Sequence, residues 1–186
     1  EGTNFTDSLL VGHATTGTLS SALRNTIVGI DAGDALESGD DNTLIGFNAG
    51  GALVWKAGNT FIGSGSGATA IATQNVAIGY NALSISNNIN SNDNVAVGYK
   101  ALENSGGSSA LSIDNTAVGK EAGQAITSGD GNITIGKDAG DNITSGSGNV
   151  VIGRADVSSA TSDDQLSISD GEDGSVVWMT GDSSAN

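Results

Sequence analysis

The chain has 186 residues, with 21 acidic and 6 basic side chains and a net charge of −15. So few cations exclude a phosphate-binding footprint for nucleic acid and disfavour insertion into, or docking on, an anionic membrane. Cysteine and proline are both absent, which rules out a disulfide framework and thiolate metal sites and suits a backbone committed to hydrogen-bonded ladders.

A repeat governs everything from residue 8 to about residue 157. Gly12, Gly29, Gly46, Gly63, Gly79, Gly98, Gly119, Gly136 and Gly153 follow one another at steps of 17, 17, 17, 16, 19, 21, 17 and 17 residues. Each stands behind a short apolar tract, and eight of the nine tracts open on asparagine: Asn25, Asn42, Asn59, Asn75, Asn94, Asn115, Asn132 and Asn149. Self-similarity at a short fixed period is the mark of stacked coils. The spacing therefore predicts an all-β chain, a β-solenoid or β-roll of about nine short coils over residues 1–157. The coils start near residues 8, 25, 42, 59, 75, 94, 115, 132 and 149. Residues 158–186 form a short β cap or a junction to a following module.

Within one coil the asparagine is column 1 and the glycine column 5. Columns 2 to 4 are β-favouring triplets such as Thr43-Leu44-Ile45 and Val95-Ala96-Val97. Side chains alternate across a strand, so columns 2 and 4 share one face and column 3 takes the other. Column 4 is Val or Ile in all nine coils, which predicts that it fills the coil interior. Column 3 is also largely apolar and is expected to meet another chain, because strands apolar on both faces are normally buried on both.

Column 8 is Ala in six coils and column 9 is often Gly, so the interior is expected to be narrow. Column 12 returns an apolar residue at Leu19, Leu36, Leu53, Ala70, Ile126 and Ile143, which predicts a second strand. The coil then closes through turn-forming stretches such as Ser38-Gly39-Asp40-Asp41. The two long coils place their extra residues there, at Asn87–Asp93 and Ser105–Ser109, as loops outside the ladder. Val176-Val-Trp-Met179 predicts a strand beyond the last coil, with Trp178 covering the open end or beginning the next module.

No run reaches the ~20 apolar residues of a membrane span and no signal peptide is visible. With Glu1 first, the chain reads as a fragment or a processed form.

Asn94-Val-Ala-Val-Gly-Tyr-Lys-Ala-Leu102 and Asn115-Thr-Ala-Val-Gly-Lys-Glu-Ala-Gly123 resemble the head repeats of YadA-like trimeric autotransporter adhesins. The chain is more similar still to the Asn-Thr-Ala-Val-Gly repeats of bacteriophage tail fibres, especially marine ones. There such repeats often precede segments like Asp164-Gln-Leu-Ser-Ile-Ser169 and Trp178-Met-Thr-Gly-Asp-Ser183. The resemblance implies a left-handed parallel roll, a homotrimer, and a role in attachment. The coils are a few residues longer than the adhesin repeat, and neither stalk heptads nor a membrane anchor is visible, which favours a virion tail fibre over a bacterial cell surface.

The residues point to no enzyme and no cofactor. His13, the single histidine, has no partner at a catalytic spacing. The turn acids never enter the Gly-Gly-x-Gly-x-Asp register of calcium-binding rolls, so ordinary turn chemistry is expected and no metal. A polysaccharide depolymerase would need an aromatic cleft, and the chain holds two Trp, two Tyr and three Phe. An ice-binding solenoid is the other alternative, with Thr26, Thr43, Thr60 and Thr116 in column 2. Against it, Val76, Val95, Ile133 and Val150 break the row, and column 2 shares a face with column 4.

Column 6 carries the candidate contact residues for a cell-surface receptor or glycan. It reads Ile30, Phe47, Ser64, Tyr80, Tyr99, Lys120, Lys137 and Arg154. Stacking the coils puts Tyr80 beside Tyr99, then Lys120 and Lys137 as a basic strip. Glu121 and Asp138 lie next to those cations and offset them, and aromatic faces with cations suit sugars and their acids.

Overall fold

The structure, a computed structural model, describes residues 7–12, 21–86, 88–107 and 111–184. Its strands are β1 (Leu9–Val11), β2 (Thr26–Val28), β3 (Thr43–Ile45), β4 (Thr60–Ile62), β5 (Val76–Ile78), β6 (Val95–Val97), β7 (Thr116–Val118), β8 (Ile133–Ile135), β9 (Val150–Ile152), β10 (Leu166–Ser169) and β11 (Val177–Gly181). They form one sheet in sequence order. β1 to β10 pair in parallel, with column 2 on column 2 throughout: Val76 opposes Val95, and Val95 opposes Thr116. β11 turns back and pairs antiparallel with β10. The result is a β-solenoid with one strand per coil, about 43 Å from β1 to β10 at about 4.8 Å per step.

The two faces of that sheet are the reverse of the expected ones. Column 3 lies inside: Ile27, Leu44, Phe61, Ala77, Ala96, Ala117, Thr134 and Val151 are all buried. Column 4 faces out, with Ile78, Val118, Ile135 and Ile152 exposed at 37–39%. The reason is room. A β-branched side chain in every coil would overfill this narrow interior, whereas column 3 varies in size and the rest of the coil adjusts to it. At Ile27, Leu44 and Phe61 column 9 is glycine; a Cβ on Gly67 would collide with the Phe61 ring, 2.7 Å from its Cζ. Where column 3 shrinks to Ala77 and Ala96, column 9 becomes Leu83 and Leu102, both fully buried. Column 12 then changes from an apolar residue to Ser86 and Ser105, also buried. In these coils the columns exchange volume, as close packing favours; the coils of Ala117 with Gly123 and Val151 with Val157 do not follow the exchange.

Column 12 forms no second strand among the described residues. Leu36, Leu53, Ala70, Ile126 and Ile143 are buried, but each stands just past a turn, its N–H donating three residues back, as Leu36 does to the Gly33 carbonyl at 2.9 Å; Leu19 lies outside the described residues. The turns arise because column 7 and column 9 both take left-handed φ. Column 7 does so at Asp31 (58°), Asn48 (52°), Asn81 (52°) and Glu121 (58°). Asn and Asp tolerate that region best among residues with a Cβ. These two kinks shape the turn that ends on column 12, and the column 12 N–H is spent closing it within its own coil, so it joins no ladder with the next coil.

The column 5 glycine has a specific task. Gly98 has φ of 139°, and a Cβ there would stand 2.6 Å from the carbonyl carbon of Gly119 in the next coil. Only glycine fits both demands. Asparagine in column 1 does more than open the strand. Asn25, Asn42, Asn59, Asn75, Asn94, Asn115, Asn132 and Asn149 are buried in one line. The backbone N–H of Asn42 and its Nδ2 both donate to Oδ1 of Asn25, at 2.9 and 3.1 Å. Its Nδ2 also donates to the carbonyl of Lys56 across the coil, at 2.9 Å. Each amide of the line ties its coil to a neighbour, and those of Asn25, Asn42, Asn59, Asn94, Asn115 and Asn132 also close their own loop, which satisfies groups that would otherwise be costly to bury.

The line ends on Gln165, whose N–H and Nε2 donate to Oδ1 of Asn149. β10 is thereby a tenth parallel rung. Trp178 does not cover the core; it is 69% exposed on β11. Of the long-coil insertions, Asn87 and residues 108–110 lie outside the described residues, as does His13. In the first insertion Ile89, Asn90 and Asp93 are exposed and no strand forms, as a loop outside the ladder should be, while Ser91 is fully buried; in the second, Ser105 is fully buried. Ser105 Oγ donates to Ser112 Oγ at 2.8 Å.

Candidate functional site

Column 6 follows the strand's glycine and precedes the left-handed residue of column 7, so its side chain leaves the coil at a corner. Backbone bonds hold successive corners in register. The N–H of Lys100 donates to the carbonyl of Tyr80 at 2.9 Å, that of Glu121 to Tyr99 at 2.8 Å, and that of Asp138 to Lys120 at 2.8 Å. The row is an exposed stripe: Ile30, Phe47, Tyr80 and Tyr99 all project into solvent.

Tyr80 and Tyr99 are stacked, with ring centroids 5.5 Å apart and planes 10° from parallel. The other flank of Tyr99 is crowded by cations. The Nζ atoms of Lys100 and Lys120 each lie 5.8 Å from its centroid, within cation–π range. Lys100 stands in column 7, outside the column that the sequence singled out; its one-residue offset from Tyr99 hid it.

The basic strip is neutralised by its neighbours. Lys120 pairs with Glu121, Lys137 with Asp138 at 3.2 Å, and Arg154 with Asp138 at 3.2 Å. The hydrogen bond from Lys120 to Glu121 raises the lysine's pKa, and that from Lys100 to Glu103 does the same. Partial burial pushes Asp138 upward, but Lys137 and Arg154 outweigh it and the carboxyl lies below its ordinary value. Exposed pairs of this kind contribute little to stability. Tyr80, Tyr99, Lys120 and Lys137 thus share one row, but as two units: a stacked aromatic pair and a screened ion-pair ladder.

Two further features were not read from the sequence. One is the outward face of the sheet. Columns 2 and 4 of the ten parallel rungs run from Leu9 and Val11 to Leu166 and Ile168, and none of these positions is charged. About 43 Å by roughly 10 Å gives a flat, uncharged patch of about 400 Å², as large as the largest patch on an ordinary monomer. The second is an acidic groove of about 400 Å³ near the last coils, lined by Asp138, Asp141, Arg154, Asp156 and Asp173. There burial, then the charge of Asp156, raises the Asp141 pKa to about 6. Among the described residues no three His, Cys, Asp or Glu side chains are placed so that they could hold a metal ion, those of this groove included.

Fold and face define the class: a single-sheet β-solenoid with a buried amide line and a flat, uncharged outer surface. Neither a protein-family model nor a curated protein nor a solved structure matches the chain.

Proposed function

We propose that the chain is a structural and host-attachment segment of a homotrimeric fibre, a bacteriophage tail fibre exposed on the virion and non-enzymatic. One observation carries the assembly: a molecule of charge −15 keeps every charged side chain off the outward face of its sheet. Three such acidic chains can associate only where repulsion is absent and apolar surface is offered, and columns 2 and 4 meet both conditions. The three-fold number comes from the resemblance to adhesin and tail-fibre repeats. In this arrangement column 6 stands at the margin of the buried face, where the Tyr80–Tyr99 pair and the Lys120 and Lys137 corners are available to a cell-surface receptor or glycan. Fluorescently labelled protein should adsorb to susceptible bacteria, and Tyr80→Ala with Tyr99→Ala should weaken that adsorption. Unchanged adsorption by the double variant removes the row as a contact surface.

A second reading, an ice-binding solenoid, draws support from the same inversion of faces. Thr26, Thr43, Thr60 and Thr116 point outward on a regular, flat ladder, whereas the sequence had placed them toward the core. The interruptions at Val76, Val95, Ile133 and Val150 count against it. A freezing assay with no thermal hysteresis eliminates it.

A further inference from the structure

The column 6 row has a gap. Tyr80 and Tyr99 occupy adjacent coils and close on each other at 5.5 Å, which leaves no room between them. Phe47 and Tyr80 are two coils apart, and the residue between them is Ser64. Two steps of the ladder separate the aromatic positions by about 9.6 Å. Both walls are open, Phe47 at 56% and Tyr80 at 52% exposure. The rungs beneath are fixed, since the Gly65 N–H donates to the Phe47 carbonyl at 2.9 Å and the Asn81 N–H to the Ser64 carbonyl at 3.0 Å.

Beside Ser64 the chain has Gly65, and the side chain of Asn81 lies over it. A Cβ on Gly65 would collide with Asn81 Oδ1 and stand 3.3 Å from its Cγ. The absence of a side chain at residue 65 is what lets the Asn81 amide fold down along the gap. We infer that Phe47, Ser64, Tyr80 and Asn81 frame a subsite for one neutral pyranose ring of a glycan, an inference that rests on the receptor-contact reading of this row.

The dimensions favour a saturated ring. A flat ring touching both walls at 3.5–4.0 Å would need only about 7–8 Å, so a gap of about 9.6 Å leaves it loose. A puckered chair, with axial hydrogens directed at each wall, takes up the surplus. Its C–H groups meet the negative faces of aromatic rings, and its hydroxyls meet Ser64 Oγ and the Asn81 amide, each able to donate and accept. The gap has no charged wall. The nearest cations in the row, Lys100 and Lys120, stand at Tyr99 on the far side of Tyr80, which selects a neutral sugar over an acidic one. No other step of the row combines these features: Ile30 directly precedes Phe47, and Tyr99 is occupied on both flanks.

Saturation-transfer NMR with methyl glucoside, galactoside, mannoside and N-acetylglucosaminide tests the subsite directly. At least one pyranoside should receive saturation from the wild-type protein. Ser64→Tyr, which repeats the residue of the two following coils and leaves the melting curve unchanged, should abolish it. Tyr80→Ala should weaken binding roughly 2–10-fold, and Tyr99→Ala should have the smaller effect. Saturation of no pyranoside, or its persistence in both Ser64→Tyr and Tyr80→Ala, overturns the inference. Cell adsorption separates the two readings. Wild-type and Ser64→Tyr proteins that adsorb equally overturn the subsite and leave attachment standing; a pyranoside that binds a protein unable to adsorb does the opposite.

Discussion

Replacing Asn94 with alanine removes the middle of the buried amide line and has a magnitude that can be worked out. Asn94 is fully buried. Its Oδ1 accepts the backbone N–H of Asn115 at 3.1 Å, and its Nδ2 donates to the carbonyl of Ser112 at 2.8 Å. Alanine leaves both buried groups without that partner, whereas Asn115 Nδ2 keeps Ser112 Oγ and the Gly129 carbonyl. Each orphaned group costs about 1–3 kcal/mol, so the loss is about 2–6 kcal/mol. For a chain of this size that corresponds to a fall in Tm on the order of 10 °C. Thermal melts by far-UV circular dichroism at fixed protein concentration measure it, with the exposed Asn90→Ala as the control, expected within about 0.5 kcal/mol of wild type. A fall of less than about 2 °C for Asn94→Ala would refute the role of the amide line, since the threshold lies below the smallest loss two orphaned groups imply.

Three other outcomes follow from the geometry. Gly98→Ala forces a Cβ against the Gly119 carbonyl at a φ of 139°; it should prevent soluble expression or lower Tm more than Asn94→Ala, and a near-native melt would contradict the stacking. Phe61→Ala should cost about 3–5 kcal/mol as a fully buried ring is lost, measured by the same melts; a loss under about 1 kcal/mol would return column 3 to the surface. Asp141 has its folded pKa raised from 3.8 to about 6, chiefly by burial and then by Asp156, with Asp138 and Glu121 adding to it. A raised carboxyl pKa stabilises fully below about pH 4 and that contribution is lost as pH rises through about 6. Asp141→Asn should therefore flatten the pH dependence of Tm between pH 4 and 7, and an unaltered profile would contradict the coupling.

The period and phase of this fold were legible, and its orientation was not. Asn and Gly columns marked each strand because the chemistry they serve, a buried amide line and a glycine stack, tolerates one residue type. The faces were ambiguous because columns 2, 3 and 4 are all apolar, and a period of two separates the faces without saying which is inside. A partial signal was covariation between columns: Phe61 with Gly67, Ala77 with Leu83 and Ala96 with Leu102 follow it, whereas Ala117 with Gly123 and Val151 with Val157 do not. Such exchange only makes sense among side chains sharing one enclosed space. Column 12 looked like a strand because it is apolar, but it is buried at the end of a turn set by the left-handed residues of columns 7 and 9, with its N–H bonded back to column 9. β10 was hidden because Gln165 stands where asparagine stood before and Ser169 where glycine stood. In the candidate site, the Tyr80–Tyr99 stack and the acids beside Lys120 and Lys137 could be read from coil register alone. Lys100 over Tyr99 and the Asn81 amide over Gly65 depend on how side chains fold across the corner, which register does not specify.

If the uncharged outer face of the sheet joins three chains, charge placed on that face should break the assembly apart. Light scattering of the wild-type protein, alongside a variant carrying Ile78→Lys and Val118→Lys on that face, tests it most directly. The wild type should have a mass about three times the 18.2 kDa of one chain, and the variant should be a smaller species. A stable wild-type species at 18.2 kDa would contradict it.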